Sequence, residues 1–345
     1  VTRRILFGLL GLGPAVVVLD LLGAPDMLLF LLAAAALIPL AWLIGEATEH
    51  AAHHTGPGVG GFLNATFGNA PELIIALFAV HEGLTEVVRG SLTGSVIGNL
   101  LLVLGFSLLF GGKGELDRES SFISFGLVGL ATLLFLIPSI PGWHGDPERH
   151  QLARLSLPIS IFLLLVYVAV TWFTLRRHRQ RHVVDESSSF DAWSLPVALL
   201  VLAGATVVTA FVAEILVHTL ETFAEKAHLT DFFVAAVIVA IVGNAAEHGG
   251  AVVVAARGKI KLAAEIALAS SAQVAVFLIP AVALIAWAID PLALSFRPVE
   301  IGVLGGSTLF AAAVLWEGRS SRLRGGMLIA AYVGAATAFF LAGDR

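Results

Sequence analysis

Gly68–Glu82 reads GNAPELIIALFAVHE, and Gly243–Arg257, 175 residues further on, reads GNAAEHGGAVVVAAR. Each stretch sets an Asn, and three residues later a Glu, into an apolar run; at that spacing both side chains share one face of a helix. An ionised Glu at the centre of a bilayer costs about 2.5–3.5 kcal/mol on insertion scales. Neither run carries a Lys or Arg in its core to offset that cost. A protonated Glu serving as helix glue would account for one such pair, but not for the same pair twice. Two carboxylates from opposed helices suit a divalent cation, which neutralises both.

The rest of the chain supplies the surroundings. Of its 345 residues 58% are hydrophobic and 13% charged, whereas soluble domains carry roughly a quarter charged residues. The net charge of −5 offers no basic surface for nucleic acid. The absence of cysteine excludes disulfides, thiolate metal sites and a thiol nucleophile. Apolar runs long enough for a bilayer of roughly 30 Å fall near 5–22, 27–46, 59–81, 86–110, 121–141, 153–175, 193–218, 231–256, 262–287, 299–316 and 324–342. They are too long and too unalternating for barrel strands. The expectation is an all-α polytopic membrane protein of about eleven transmembrane helices. The amino end has a charged start without a clear cleavage site and reads as a retained first helix.

One long polar stretch, RRHRQRHVVDESSSFDA (Arg176–Ala192), reads as a linker. Alternating the loops between sides puts 14 Lys and Arg with the amino terminus and this linker, against 6 opposite. The positive-inside rule then makes both cytoplasmic and the carboxyl terminus external. The offset of 175 that aligns the two Asn–Glu motifs also lays Thr93–Gly105 over Leu268–Pro280, with Ser95 on Ser270. Upstream, EATEH (Glu46–His50) is similar to EILVH (Glu214–His218). Spans two to six thus match spans seven to eleven. Five being odd, the second unit enters the membrane inverted, an arrangement of secondary transporters with a site at the midplane. The expected organisation is an N-terminal transmembrane helix (1–26), a first five-helix repeat (27–175), a cytoplasmic linker (176–192) and a second repeat (193–345).

GNAPE and GNAAEH at inverted-repeat positions resemble the paired motifs of the calcium/proton exchanger (cation/proton exchanger) family, within the calcium/cation antiporter superfamily. The resemblance covers residues 27 to 342. It implies a calcium-for-proton antiporter, with Ca2+ as transported substrate, no cofactor and no enzymatic activity. The family's essential acidic residues fall on Glu72 and Glu247, and its neighbouring polar positions on Asn69, Asn244, His248, Ser270 and Gln273. The acidic helix that many members carry between the halves is reduced here to Asp185, Glu186 and Asp191.

Physical chemistry fits that expectation. Calcium takes six to eight hard oxygens, of which Glu72, Glu247, Asn69 and Asn244 supply some and backbone carbonyls the rest. Pro71 cannot donate to the carbonyl of Phe67, which is expected to be freed beside Glu72. When the cation leaves, two carboxylates facing each other in a poorly solvated cavity favour proton uptake. One site holding Ca2+ or protons in turn gives exchange by competition. Sodium/calcium exchangers commonly carry Ser or Thr where this chain has Asn69-Ala70 and Asn244-Ala245, so a sodium/calcium, or other divalent cation, exchanger is the alternative. His248 relays a proton or packs in a helix interface. Ser95, Asn99, Ser270 and Gln273 complete or orient ligands, or serve as ordinary interhelical hydrogen bonds. Glu46 and His50, mirrored by Glu214 and His218, mark an access path for cation or proton, or solvated helix ends. A cation channel and an intramembrane metalloenzyme built on His50 and His54 are more distant readings; the latter lacks HExxH. The partners expected are Ca2+, protons and the lipid bilayer, with a homo-oligomer left open, and the setting a prokaryotic plasma membrane.

Overall fold

Helices in this chain end where the sequence withholds a backbone hydrogen bond or admits a left-handed turn. The computed structural model describes residues 2–143, 149–181 and 193–343, nearly all of them helical. Helices α1 (Thr2–Leu9) and α2 (Leu12–Leu21) part at Leu10–Gly11. Pro14 sits in the first turn of α2, where its missing N–H has no partner to lose. The helix expected over 5–22 is therefore two. Helix α3 runs from Asp26 to Gly68, 43 residues without interruption. Spans expected at 27–46 and 59–81 are thus not separate helices. The polar segment between them stays helical, its Glu and Ala residues favouring the helix in or out of lipid. The chain breaks instead at Asn69, inside the expected third span.

After that break come α4 (Ala70–His81), α5 (Thr85–Gly111), α6 (Arg118–Trp143) and α7 (Arg149–Arg181). Helix α7 outlasts the expected span, so Arg176–Arg181 of the expected linker are helical. The rest of that linker, with Asp185, Glu186 and Asp191, lies outside the described residues. Then follow α8 (Leu195–Ala227), α9 (Asp231–Gly243), α10 (Ala245–Ala256), α11 (Ile260–Ala286), α12 (Pro298–Val314) and α13 (Arg322–Ala342). Among the described residues, seven helical stretches are long and apolar enough to cross a bilayer, and α9–α10 adds a candidate span bent by 58°.

The two breaks are alike. Asn69 has φ −99°, ψ 17° and Asn244 φ −93°, ψ 4°, the sparsely populated bridge region where many active-site residues sit. Helices α4 and α10 each have 12 residues. Each is followed by a glycine at positive φ, Gly83 (75°) and Gly258 (82°), which turns the chain back at no steric cost. Helices α5 and α11 then run 27 residues each. Both widen into a π-helical turn, at Gly98–Val103 and Val274–Leu278, and α9 does so at Val234–Val239. Such turns are frequent at functional sites.

Packing fixes these elements around the breaks. Helices α3 and α8 lie antiparallel: the Thr222 hydroxyl donates to Asp26 (3.1 Å), Phe30 stacks on Phe223, and Ile44 and Ala47 cluster with Leu202 and Ala205. Helix α5 is gripped from both sides. A Cβ on Gly94 would stand 2.0 Å from the Ala236 carbonyl oxygen of α9, and one on Gly105 3.1 Å from the Gly325 carbonyl oxygen of α13. Of α5's apolar window 83% is buried inside the protein, against 22% for α7.

Loops gather into two faces. On one, Gly114–Glu115 (β1) pairs antiparallel with Arg319–Ser320 (β2), and Lys261 reaches Asp117 at 3.1 Å. The Ser120 N–H and the Lys261 ammonium hold the Asp117 carboxyl below the usual carboxylate range. On the other face, Arg89 donates to the Ser295 carbonyl, pairs with Glu86 and stands 3.8 Å from the buried Glu300. Arg297 also binds Glu300 (2.6 Å), covers the Phe232 ring and donates to the Gly343 carbonyl. These loops separate as the alternation of spans requires: 112–117, 257–261 and 315–321 on one side, and 82–84, 290–297 and 343 on the other.

Candidate functional site

The breaks at Asn69 and Asn244 bring four helix ends together. Glu72 lies in the first turn of α4 and Glu247 in the first turn of α10, where the positive end of a helix dipole favours a carboxylate. The ends of α3 and α9 contribute carbonyls, the negative end that coordinates cations in broken-helix transporters. Each carboxylate crosses to the opposite motif. Glu72 Oε1 lies 3.5 Å from the position of a Cβ on Gly243, and Glu247 Oε1 3.4 Å from that of a Cβ on Gly68. The glycines of the two motifs are thus the floor on which the partner's carboxylate rests. Glu72 is buried, and its Oε2 has no hydrogen-bond partner among the described residues. Glu247 Oε2 accepts from the Ser270 hydroxyl at 2.6 Å.

Around the carboxylates runs a set of buried amides and hydroxyls. Asn244 Nδ2 donates to Ser95 Oγ (2.8 Å) and to the Ala240 carbonyl (3.0 Å). Asn99 Nδ2 donates to Ser270 Oγ (3.1 Å) and stands 3.5 Å from Asn244 Oδ1. Asn69 Nδ2 donates to Gln273 Oε1 (3.4 Å), and Gln273 Nε2 to the Tyr167 hydroxyl (3.0 Å). His248 follows Glu247 and faces Gly98, where a Cβ would meet its Cε1 at 4.0 Å; its Nε2 has no partner among the described residues. Glu72, Glu247, Asn69, Asn244, His248, Ser95, Asn99, Ser270 and Gln273 therefore share one neighbourhood.

Other expected residues stand apart. Glu46 and His50 are on α3 where it meets the start of α8. His50 Nδ1 accepts from the Trp193 N–H (3.1 Å) and its ring stacks on the indole, with Glu46 3.7 Å away. Glu214 and His218 are exposed on the outer surface of α8, continuing the stripe of Val207 and Phe211. The antiparallel α3–α8 pair separates the two sets along its length, so they do not form one path. Pro71 has no N–H to give the Phe67 carbonyl, and the chain leaves the helix at Asn69 between them. Tyr167 is the site neighbour that pattern reading passes over. Its signal was a lone hydroxyl in FLLLVYVAV, one of only two tyrosines in the chain.

The donor set is hard: two carboxylates, four side-chain amides, hydroxyls and the carbonyls of two helix ends. Among the described residues no group of three or more His, Cys, Asp or Glu converges on a metal-sized point. Neutral oxygens would therefore have to complete any cation's shell, which suits calcium or manganese over zinc.

Fold and site define a polytopic α-helical membrane protein with an acidic centre between two facing broken helices. The chain belongs to the sodium/calcium exchanger protein family, whose sequence model matches residues 26–176 and 197–341. It is 39% identical over 351 residues to the Ca2+/H+ antiporter ChaA of Bacillus subtilis (strain 168), covering 98% of this chain and 99% of that one. To the Ca2+/H+ antiporter of Aphanothece halophytica it is 35% identical over 363 residues, 98% of this chain and 96% of that one. The solved structure of native YfkE matches with a TM-score of 0.84 and 37% identity, over 97% of this chain and 99% of that one.

Proposed function

We propose that this protein exchanges Ca2+ for protons across a membrane by alternating access, with Glu72 and Glu247 as the shared cation and proton site. The observation that carries the reading is the crossed pair of carboxylates, each in the first turn of a broken helix and lying over the other motif's glycine. No Lys or Arg stands in α4 or α10 to neutralise them. A divalent cation or protons must therefore do so. Asn69 and Asn244 offer amide oxygens beside them, and the carbonyl ends of α3 and α9 complete the shell. Relatives at 39% and 35% identity that are Ca2+/H+ antiporters support the same reading. Residues 27–175 and 193–345 act as two inverted repeats meeting at this site. The membrane is a prokaryotic plasma membrane, with the amino terminus inside and the carboxyl terminus outside.

Flux in proteoliposomes tests the proposal. With Ca2+ inside and no sodium present, an imposed inward-acid gradient is expected to drive Ca2+ out. Flux that ignores the proton gradient and follows sodium returns the reading to sodium/calcium exchange; electrical conduction without exchange returns it to a channel.

A further inference from the structure

Among the polar groups at the site, one chain of hydrogen bonds has a determined direction. Its origin is the carbonyl of Ala240, which can only accept. The side-chain nitrogen of Asn244 must therefore face it, at 3.0 Å, and that nitrogen's second hydrogen goes to Ser95 Oγ at 2.8 Å. Asn244 then turns its oxygen toward Asn99, so Asn99 presents its own nitrogen, 3.5 Å away. The same nitrogen donates to Ser270 Oγ at 3.1 Å. Ser270, accepting there, directs its hydroxyl hydrogen to Glu247 Oε2 at 2.6 Å. Asn99, Asn244 and Ser270 are all buried, in surroundings of low dielectric that strengthen each hydrogen bond.

The repeat does not contain a second copy of this chain. At the offset of 175 residues Ser95 corresponds to Ser270, but Asn99 corresponds to Val274 and Gln273 to Gly98. Ser95 here accepts from Asn244, and Glu72 Oε2 has no partner among the described residues. The relay is therefore a one-sided addition to a two-fold site. It crosses the halves, since Asn99 of the first orients a hydroxyl and a carboxylate of the second. The close backbone approach of α5 to α9 at Gly94 and Ala236 holds Ser95 and Asn99 beside the start of the relay.

Resting on the reading of Glu247 as a cation ligand, we infer that Asn99 is a positioning residue: it locks the Ser270 hydroxyl onto Glu247 Oε2 and so commits Oε1, the oxygen over Gly68, to the transported ion. The π-helical turn at Gly98–Val103 carries Asn99, and Asn99 acts on the ion only through Ser270.

A double-mutant cycle on full-length protein in proteoliposomes tests this, reading the half-saturating Ca2+ concentration and the maximal rate separately. Asn99→Leu and Ser270→Ala are each expected to raise half-saturation about tenfold, the scale of one hydrogen bond to a charged group, while the maximal rate stays within about twofold. Combined, they are expected to be no worse than Ser270→Ala alone. If Asn99→Leu is not recovered folded by size-exclusion chromatography, Asn99→Ser, too short to reach both partners, replaces it with the same expectation. Multiplying effects, or an Asn99 variant with wild-type half-saturation, overturn the relay while wild-type exchange stands. A wild-type protein that exchanges no Ca2+ overturns the functional reading and the relay's role with it.

Discussion

At the scale of single residues, the proposed exchange rests on Glu72 and Glu247, two carboxylates with no Lys or Arg in their own helices. Replacing either Glu72 or Glu247 with Gln keeps size and hydrogen bonding but removes the charge. Each variant is expected to insert and fold, and to lose Ca2+ exchange entirely in a flux assay; substantial exchange in either sinks the shared-site model. Competition supplies the second test. If two protons replace one Ca2+ on the coupled pair, the apparent Ca2+ affinity weakens as pH falls, by up to about a hundredfold per pH unit at the limit. Well above the range in which the pair titrates it becomes independent of pH. An affinity flat from about pH 5 to 9 contradicts proton coupling. The sequence made Glu72 and Glu247 legible because a charge in an apolar run stands out, and the repeated Asn beside each pointed to the same place. It did not disclose that Glu72 rests on Gly243 and Glu247 on Gly68, since a crossing between helices leaves no local pattern.

Elements bring a different limit into view. Helix α5 approaches α9 so closely that a single added methyl at Gly94 would fall 2.0 Å from a backbone oxygen. Backbone cannot rotate away as a side chain can. Gly94→Ala is therefore expected to cost about 3 kcal/mol, the upper end for overpacking, and to lower the thermal midpoint of the purified protein. Gly204 on α8, where a Cβ meets nothing within 4 Å, is the contrast: Gly204→Ala is expected to leave that midpoint unchanged or raised. Equal effects at the two positions would dismiss the close contact. The uninterrupted α3 and the π-helical turns were not legible in advance. Hydropathy marks where lipid ends, not where a helix does, and a π turn depends on the neighbour that it accommodates.

For the whole molecule, the loops supply the check on span parity. Glu82 and Lys113 are both exposed and stand on opposite faces. With no native cysteine to interfere, Glu82→Cys is expected to react with an impermeant thiol reagent in intact cells, and Lys113→Cys to resist it until the membrane is opened. The reverse pattern inverts the proposed orientation, and equal labelling of both breaks the topology. The separation of loops into two faces was readable from span alternation alone. The buried Arg89–Glu300–Arg297 network was not, because Arg89 comes from a segment about 200 residues away from Arg297 and Glu300, and each looks like a span-end residue until the chain folds.

The burial of α5 has a consequence for how the protein is made. This helix carries Glu86, Arg89, Ser91, Thr93, Ser95 and Asn99, yet faces protein nearly all round, against α9 and α13. During translation it is finished before either partner exists. At the pace of a ribosome the wait for Asp231 is on the order of ten seconds, spent with polar groups facing lipid or a membrane insertase. The first half is thus a dependent folding intermediate that the second must rescue. A chain ending at Arg181, expressed alone, is expected to be cleared by membrane quality-control proteases, and co-expression of residues 193–345 as a separate polypeptide to restore its abundance in a pulse–chase experiment. A first half that persists unaided would mean that α5 is settled in lipid before its neighbours arrive.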